Sequence, residues 1–418
     1  MENGKWKMNP SSREGTVNRR DFLQQSLSAA AIHSISDSPQ RIERILREYD
    51  AQGIHRTGTA VDRKSADWLA AQVRSCGATP VLESFAHNRV DPQAAFVEIA
   101  GRRIEGLPVF DGAFTDPAGV RGKLGPVGSD AGIGLAEAPP NAEYSPPYDK
   151  LRRESKHRAI IVVTRGGKPG LAPINGGKFL APFGPPVLQV SSEEGNWLSE
   201  QAGKGAEAGL VAHVKRTRVQ AINVTAKIAG RDPELAPVVA ITPRSGWWQC
   251  ASERGGGLIC WLEAMRALAA PKPTRDCYFL ASTGHELGHL GLEDFIHRRP
   301  ALVKAALAWI HFGANIGLPG DAGHRLQASS DELEKIAVEA LDRAPAKVSE
   351  KMARGTVPFG EAGNIHRGGG RYVSLLGTGN RWFHHPGDRW PEAVDVKAIA
   401  RCAEAMAQVA LTLANAAA

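Results

Sequence analysis

The sequence predicts an α/β fold: a three-layer αβα sandwich on a mostly parallel, mixed sheet, with an inserted, mostly β domain. Three observations point there. From residue 221 onward, apolar runs of strand length alternate with stretches of helical periodicity, the pattern of helices packed on a mostly parallel sheet. Residues 106–220 differ in texture, being rich in Gly and Pro with short β-like runs and little helix before Glu193. Residues 37–105 start with two amphipathic helices.

The elements follow in order. Asn18-Arg19-Arg20-Asp21-Phe22-Leu23, followed by a mildly apolar stretch to Ala31, resembles a bacterial twin-arginine export signal. Residues 1–36 therefore read as an export signal and linker, with a periplasmic or extracellular destination; without export the chain stays cytoplasmic. No later segment approaches the ~20 apolar residues of a membrane span. The first helix places Ile42, Ile45, Leu46 and Tyr49 on one face, and the second, around Trp68, Leu69 and Val73, stops at Gly77. Between them lies Arg56-Thr57-Gly58-Thr59. In 106–220 the clearest strands are 159–163 and 186–190. In 221–418, strands and helices alternate over 222–228, 237–241, 258–268, 277–281, 290–296, 305–312, 331–341, 372–376 and 396–413. In such sheets chemistry gathers at strand ends.

With 418 residues and 42% hydrophobic content, the chain can bury one large core and a smaller one. The net charge of +7 is dispersed, without a basic run interleaved with aromatics, and nucleic acid is not expected as a partner. Five cysteines show no paired spacing and no Cys-x-x-Cys, so no disulfide framework is implied.

Residues 281–293 carry the sharpest chemical signal: Ala-Ser-Thr-Gly-His-Glu-Leu-Gly-His-Leu-Gly-Leu-Glu. On a helix, His285 and His289 would share a face and hold zinc while Glu286 activates water. The flanks oppose this. The apolar run 276–281 reads as a strand broken by Ser282-Thr283-Gly284, which places His285 where a strand ends and a helix begins.

Taken together, these segments resemble the co-catalytic zinc exopeptidases of clan MH, which include bacterial leucine aminopeptidase, carboxypeptidase Q and the animal-type glutaminyl cyclases. Arg56-Thr57-Gly58-Thr59 is similar to their N-terminal signature. The stretch from Asn223 to the strand 238–241 resembles the segment leading to their first metal ligand, and residues 250–268, 278–292 and 383–395 align in order with later motifs. The inserted domain resembles a protease-associated domain.

The resemblance implies a peptide or amide hydrolase with a rebuilt site. The family's first ligand histidine falls on Thr242 and the aspartate that orients it on Arg244. The metal-bridging aspartate falls on Glu253, and the paired glutamates on His285 and Glu286. The second aspartate falls near Gly313, Ala314 or Asn315, where no carboxylate stands. The last histidine falls on His384, with Asp388 following. One three-ligand set, Glu253, Glu286 and His384, thus remains for a single zinc ion, with His285 as general base near neutral pH. Glutaminyl cyclases of this fold also work with one zinc.

Arg244, Trp247, Trp248 and Arg254 follow the strand end at Ile241. Two arginines beside aromatics suit an anionic small peptide or amide substrate; alternatively the tryptophans pack and the arginines pair locally. His311, His289 and His385 are further candidates for the site, and packing histidines otherwise. Three functions follow: a single-metal aminopeptidase-like metallohydrolase, a catalytically inactive binding protein of the exopeptidase fold, and a zincin using His285 and His289. No nucleophile elbow or phosphate loop competes.

Overall fold

Helices begin where the sequence supplies a cap and an apolar stripe. In Ser38–Asp50, the residues Ile42, Ile45, Leu46 and Tyr49 are each at most 2% exposed, forming the buried face expected from their spacing. Ala60–Ser75 is capped by Thr59, whose Oγ1 accepts from the Asp62 N–H at 3.2 Å. The computed structural model describes residues 38–320 and 322–417, and residues 39–418 form one compact unit. The twin-arginine-like segment lies outside the described residues.

Among these residues, fourteen strands join one mixed sheet. They are β1 (Pro80–Ile99), β2 (Arg102–Glu105), β3 (Leu107–Pro108), β4 (Val120–Pro126), β5 (Ile133–Ala138), β6 (Ala159–Thr164), β7 (Val187–Val190), β8 (Glu207–Ile228), β9 (Val238–Pro243), β10 (Cys277–Ser282), β11 (Ala308–Phe312), β12 (His324–Ala328), β13 (Val348–Lys351) and β14 (Tyr372–Gly377). The larger half runs β13-β12-β14-β11-β9-β10-β8. Its centre, β14-β11-β9-β10, is parallel, while β12 and β8 join it antiparallel. The predicted mixed, mostly parallel sheet is thus present.

Side chains of the central strands alternate between two buried layers, as the two-residue period of a strand requires. Val238 and Ala240 of β9, Phe279 of β10 and Ile310 of β11 pack under the helices Ser38–Asp50, Ala251–Ala269 and Val396–Ala414. Val239, Ile241, Leu280 and Trp309 face the other way, onto Leu292, Phe295 and Ile365 of the helices Leu290–Arg298 and Ala362–Arg367. These are the three layers expected from the alternation after residue 221.

The long antiparallel pair of β1 and β8 continues past this sheet, with an irregularity between Pro92 and Ala94, and hands the ladder on to β4. Strands β4 to β7 run parallel, and β3 closes that edge. A second core forms there from Val97, Leu124, Ile133, Ile161, Leu188 and Leu210. β8 runs through residue 220 without a break. No helix among the described residues is long and apolar enough to cross a membrane.

Candidate functional site

The carboxyl ends of β9, β10 and β11 converge, and the site is built from the segments that leave them. β10 ends at Ser282, and the chain then makes a single 3₁₀ turn, His285–Leu287, before the helix Leu290–Arg298 starts. Gly284 and Gly288 have φ of 88° and 77°, and His289 itself sits at φ 66°. Two successive left-handed residues break the helix that a zincin needs across His285 and His289, so that reading is corrected. The same turn nevertheless swings the His289 ring to within 5.0 Å of the His285 ring, centroid to centroid. A left-handed histidine costs about 1–2 kcal/mol, a strain kept where surrounding structure fixes it.

Both rings are oriented by oxygen acceptors. His285 Nδ1 lies 2.8 Å from Glu361 Oε1, and His289 Nδ1 lies 2.8 Å from Asn364 Oδ1. Asn364 Nδ2 donates to Glu293, which fixes which end of the amide faces His289. Carboxylate and amide oxygens cannot donate to an imidazole, so Nδ1 carries the proton on each ring. In the neutral form Nε2 then keeps its lone pair. Burial and the Arg254 charge hold His285 down to about 4, which keeps it neutral at physiological pH despite Glu361.

Glu361 joins two strand ends. Its Oε2 accepts from His311 Nε2 at 3.2 Å, and His311 Nδ1 contacts Ser374 Oγ at 2.8 Å. Burial would raise the Glu361 carboxyl, but His285 and His289 more than offset it and hold it well below the usual range. His285, His289 and Glu361 each offer one ligand atom, and these atoms lie within 4.8 Å of one another, all buried. No other such group of three occurs among the described residues. His285 and His289 line a cleft of about 270 Å³ shared with Glu143, Tyr148, Asn175 and Asn364.

The residues expected to hold zinc are arranged differently. Glu253 Oε1 lies 2.7 Å from Arg254 Nη2 and 3.3 Å from His384 Nε2, in a fully buried group. Burial would raise the Glu253 carboxyl, yet Arg254 and then His384 hold it well below its ordinary value. His384, whose Nδ1 donates to the Pro173 carbonyl at 2.6 Å, is lowered by burial but raised further by Glu253, with a net upward shift. Glu286 does not join them. Its Oε1 accepts from the Thr57 N–H and its Oε2 from the Ser245 hydroxyl, both at 2.7 Å. Thr242 Oγ1 donates to the Phe312 carbonyl at 2.9 Å.

The four residues proposed for substrate are equally separated. Arg244 is fully buried, paired with Asp62 at 2.8 Å and donating to the Ile222 carbonyl. Arg254 donates to the Ser245 carbonyl at 2.6 Å as well as meeting Glu253. Trp247 donates to Asn175 Oδ1 at 2.8 Å, and Trp248 to the His384 carbonyl at 2.9 Å. Both tryptophans line a second, apolar cleft of about 380 Å³ with Ile54, Val61 and Leu107. Glu361, Glu143 and Asn175 were missed by sequence reasoning, because no local motif surrounds them.

The order of strands in the mixed sheet and the helices on its two faces decide the fold. This is the fold of the zinc aminopeptidases. Over 92% of this chain and 96% of the other, it superposes on a zinc aminopeptidase from Bacillus subtilis, BSAP, with a TM-score of 0.73 at 16% identity. The peptidase M28 precursor from Shewanella amazonensis SB2B matches with a TM-score of 0.74 at 15% identity, over 95% and 98% of the two chains. The aminopeptidase from Aneurinibacillus sp. strain AM-1 gives 0.70 at 15% identity, over 92% and 96%. In sequence, the chain is 24% identical over 342 residues to Aminopeptidase YwaD of Bacillus subtilis (strain 168), covering 75% of this chain and 71% of that protein. No protein-family model matches the chain. The resemblance to zinc exopeptidases is borne out on this zinc aminopeptidase fold, while of the residues that the resemblance pointed to, Glu253 and His384 lie together and Glu286 is bonded elsewhere.

Proposed function

We propose that the protein is an aminopeptidase-like metallohydrolase that cleaves a peptide or amide bond in the cleft above His285 and His289, using one zinc-class ion. The observation that carries this reading is the buried cluster of His285, His289 and Glu361, whose two histidines line that cleft. Zinc accepts imidazole nitrogen and carboxylate oxygen at about 2.0–2.2 Å, and this donor set already lies within 4.8 Å, with Glu361 exchanging its contact to His285 for the ion. The Asn364 acceptor at His289 Nδ1 is the usual partner of a metal-ligating imidazole, because it fixes the tautomer and the ring. The fold's zinc aminopeptidase neighbours support a metal of this class.

The inherited positions fit a metal poorly. The Arg254 charge sits against Glu253, and Glu286 is bonded to Thr57 and Ser245 rather than to Glu253 or His384. In this reading His285 is a ligand rather than the general base. When bound, the ion would polarise the scissile carbonyl and acidify a water. Glu361 fixes His285 and His311 together, and Asn364 fixes His289, so the three side chains are held before substrate arrives.

Hydrolysis of aminoacyl p-nitroanilides and dipeptides by the zinc-loaded protein tests the reading. Turnover that disappears with a chelator and with His289→Ala is expected; absence of turnover across such a panel overturns it. The alternative, a binding protein without catalysis, draws on the Arg254–Glu253–His384 group, which closes the inherited metal positions with internal charges. Export through the twin-arginine pathway remains part of the proposal, tested by fractionating cells that express the chain with Arg19 and Arg20 intact or changed to lysine.

A further inference from the structure

The insert reaches the cleft through a short turn, Ala142–Tyr144, and the helix Pro146–Arg153. Glu143 is held there by a chain of side chains. Trp247 Nε1 donates to Asn175 Oδ1 and Asn175 Nδ2 donates to Glu143 Oε1, each at 2.8 Å. That leaves Glu143 Oε2, a buried atom without a hydrogen-bond partner. On the same cleft, the hydroxyl of Tyr148, a residue 6% exposed, is also buried and unpartnered. A buried carboxylate oxygen without a donor is costly, and a ligand that donates to it recovers that cost.

The other acids that share the cleft are matched elsewhere, while Lys178 and Arg367 line it without a carboxylate partner among the described residues. Asp111 pairs with Arg152 at 2.8 Å, Asp149 with Arg153 at 2.7 Å, and Arg367 donates to Asn364 at 3.1 Å. No ion pair of the described residues ends on Glu143. The ligand that suits the two unpartnered oxygens, Glu143 Oε2 and the Tyr148 hydroxyl, is a small cation with several hydrogen-bond donors. Glu143 belongs to no group of three metal-ligating side chains, so a metal is a poor candidate. Burial pushes the Glu143 carboxyl up to about 7, with His384 opposing, so an arriving positive charge would favour its ionised form.

We propose that Glu143, with Tyr148 beside it, binds the free primary ammonium at the amino terminus of the substrate. This rests on the hydrolase reading for the identity of the ligand, and it makes the insert the source of exopeptidase selectivity. The ammonium donates to Glu143 Oε2 and to the phenolic oxygen of Tyr148. An N-acylated substrate has neither the charge nor the donors.

Calorimetric titration of the zinc-loaded full chain with alaninamide and with N-acetylalaninamide reads the site without requiring turnover. The wild type should bind the free amine at least about tenfold more tightly, the size of a charged hydrogen bond. Glu143→Gln should remove most of that preference, and Tyr148→Phe part of it, with zinc content unchanged in both. Equal binding of the two amides by the wild type, or an undiminished preference in Glu143→Gln, overturns the inference. If the protein shows the preference yet hydrolyses nothing, the catalytic reading fails and the ammonium site stands.

Discussion

Arg254 places Nη2 2.7 Å from Glu253 Oε1, with both side chains at most 1% exposed. Glu253 is the position at which the zinc exopeptidase resemblance puts a metal-bridging carboxylate, and here its charge is met by the next residue in the chain. His384 Nε2, at 3.3 Å from the same oxygen, adds a second basic group. Neither Glu253 oxygen nor His384 Nε2 has a hydrogen-bond partner among the described residues, so it is the Arg254 charge, and not an occupied lone pair, that opposes a metal here.

Removing one partner of a buried pair exposes the other to the full desolvation penalty. Arg254→Ala should therefore destabilise the protein by about 3–5 kcal/mol, read from urea unfolding. Adding Glu253→Leu to that variant should recover part of the loss, since the unpaired charge goes with it. A single-variant loss below about 1 kcal/mol, the value typical of an exposed pair, would show that the pair is solvated.

Glu286 ties the Thr57 backbone, at the start of the helix Ala60–Ser75, to Ser245, which follows β9. Ser245 Oγ in turn accepts from the Gly284 and His285 N–H groups. Glu286→Ala should cost about 2–3 kcal/mol through two lost hydrogen bonds to a buried acceptor and leave zinc stoichiometry unchanged. Loss of zinc with unchanged stability would make Glu286 a ligand and contradict this assignment.

His55 predicts a pH effect on stability. Its ring is fully buried, stacks on Tyr49 at 3.9 Å, and lies 2.9 Å from the Gln249 carbonyl through Nδ1. Burial holds it down to about 3. In the unfolded chain it takes a proton below its ordinary value of 6.5, so its stabilising contribution is complete above 6.5 and is lost as pH falls from 6.5 towards 3. Between pH 6.5 and 5 this amounts to about 2 kcal/mol. The stability gap between the wild type and His55→Asn should narrow by about that amount over the range in urea titrations. A gap independent of pH would contradict it.

Much of the fold was legible because period decides layer. Strands β9, β10, β11 and β14 are short apolar runs of β-like length, and the long helices beside them are striped, as Val396–Ala414 is, or buried nearly all round, as Ala251–Ala269 is. β1 was not legible: charged residues interrupt it, Pro92 adjoins its irregularity, and part of it pairs outside the main core. β12 and β13 are short and partly polar at the sheet edge. In the site, the strand-to-turn break at Ser282-Thr283-Gly284 was readable and placed His285 correctly. Glu361 was not, since it lies 76 residues from His285 and meets it only through the sheet order. The role of Arg254 was equally hidden, because sequence alone does not say whether an arginine faces a cleft or its own neighbour.

The most direct test is the zinc content, by inductively coupled plasma mass spectrometry, of the zinc-loaded, desalted protein and four folded variants. About one zinc per chain, the stoichiometry of a single three-ligand site, is expected in the wild type, in Glu253→Gln and in His384→Ala. It should be lost in His289→Ala and Glu361→Ala. Zinc that persists in His289→Ala and Glu361→Ala but leaves with Glu253 or His384 would contradict the account and return the metal to the inherited positions.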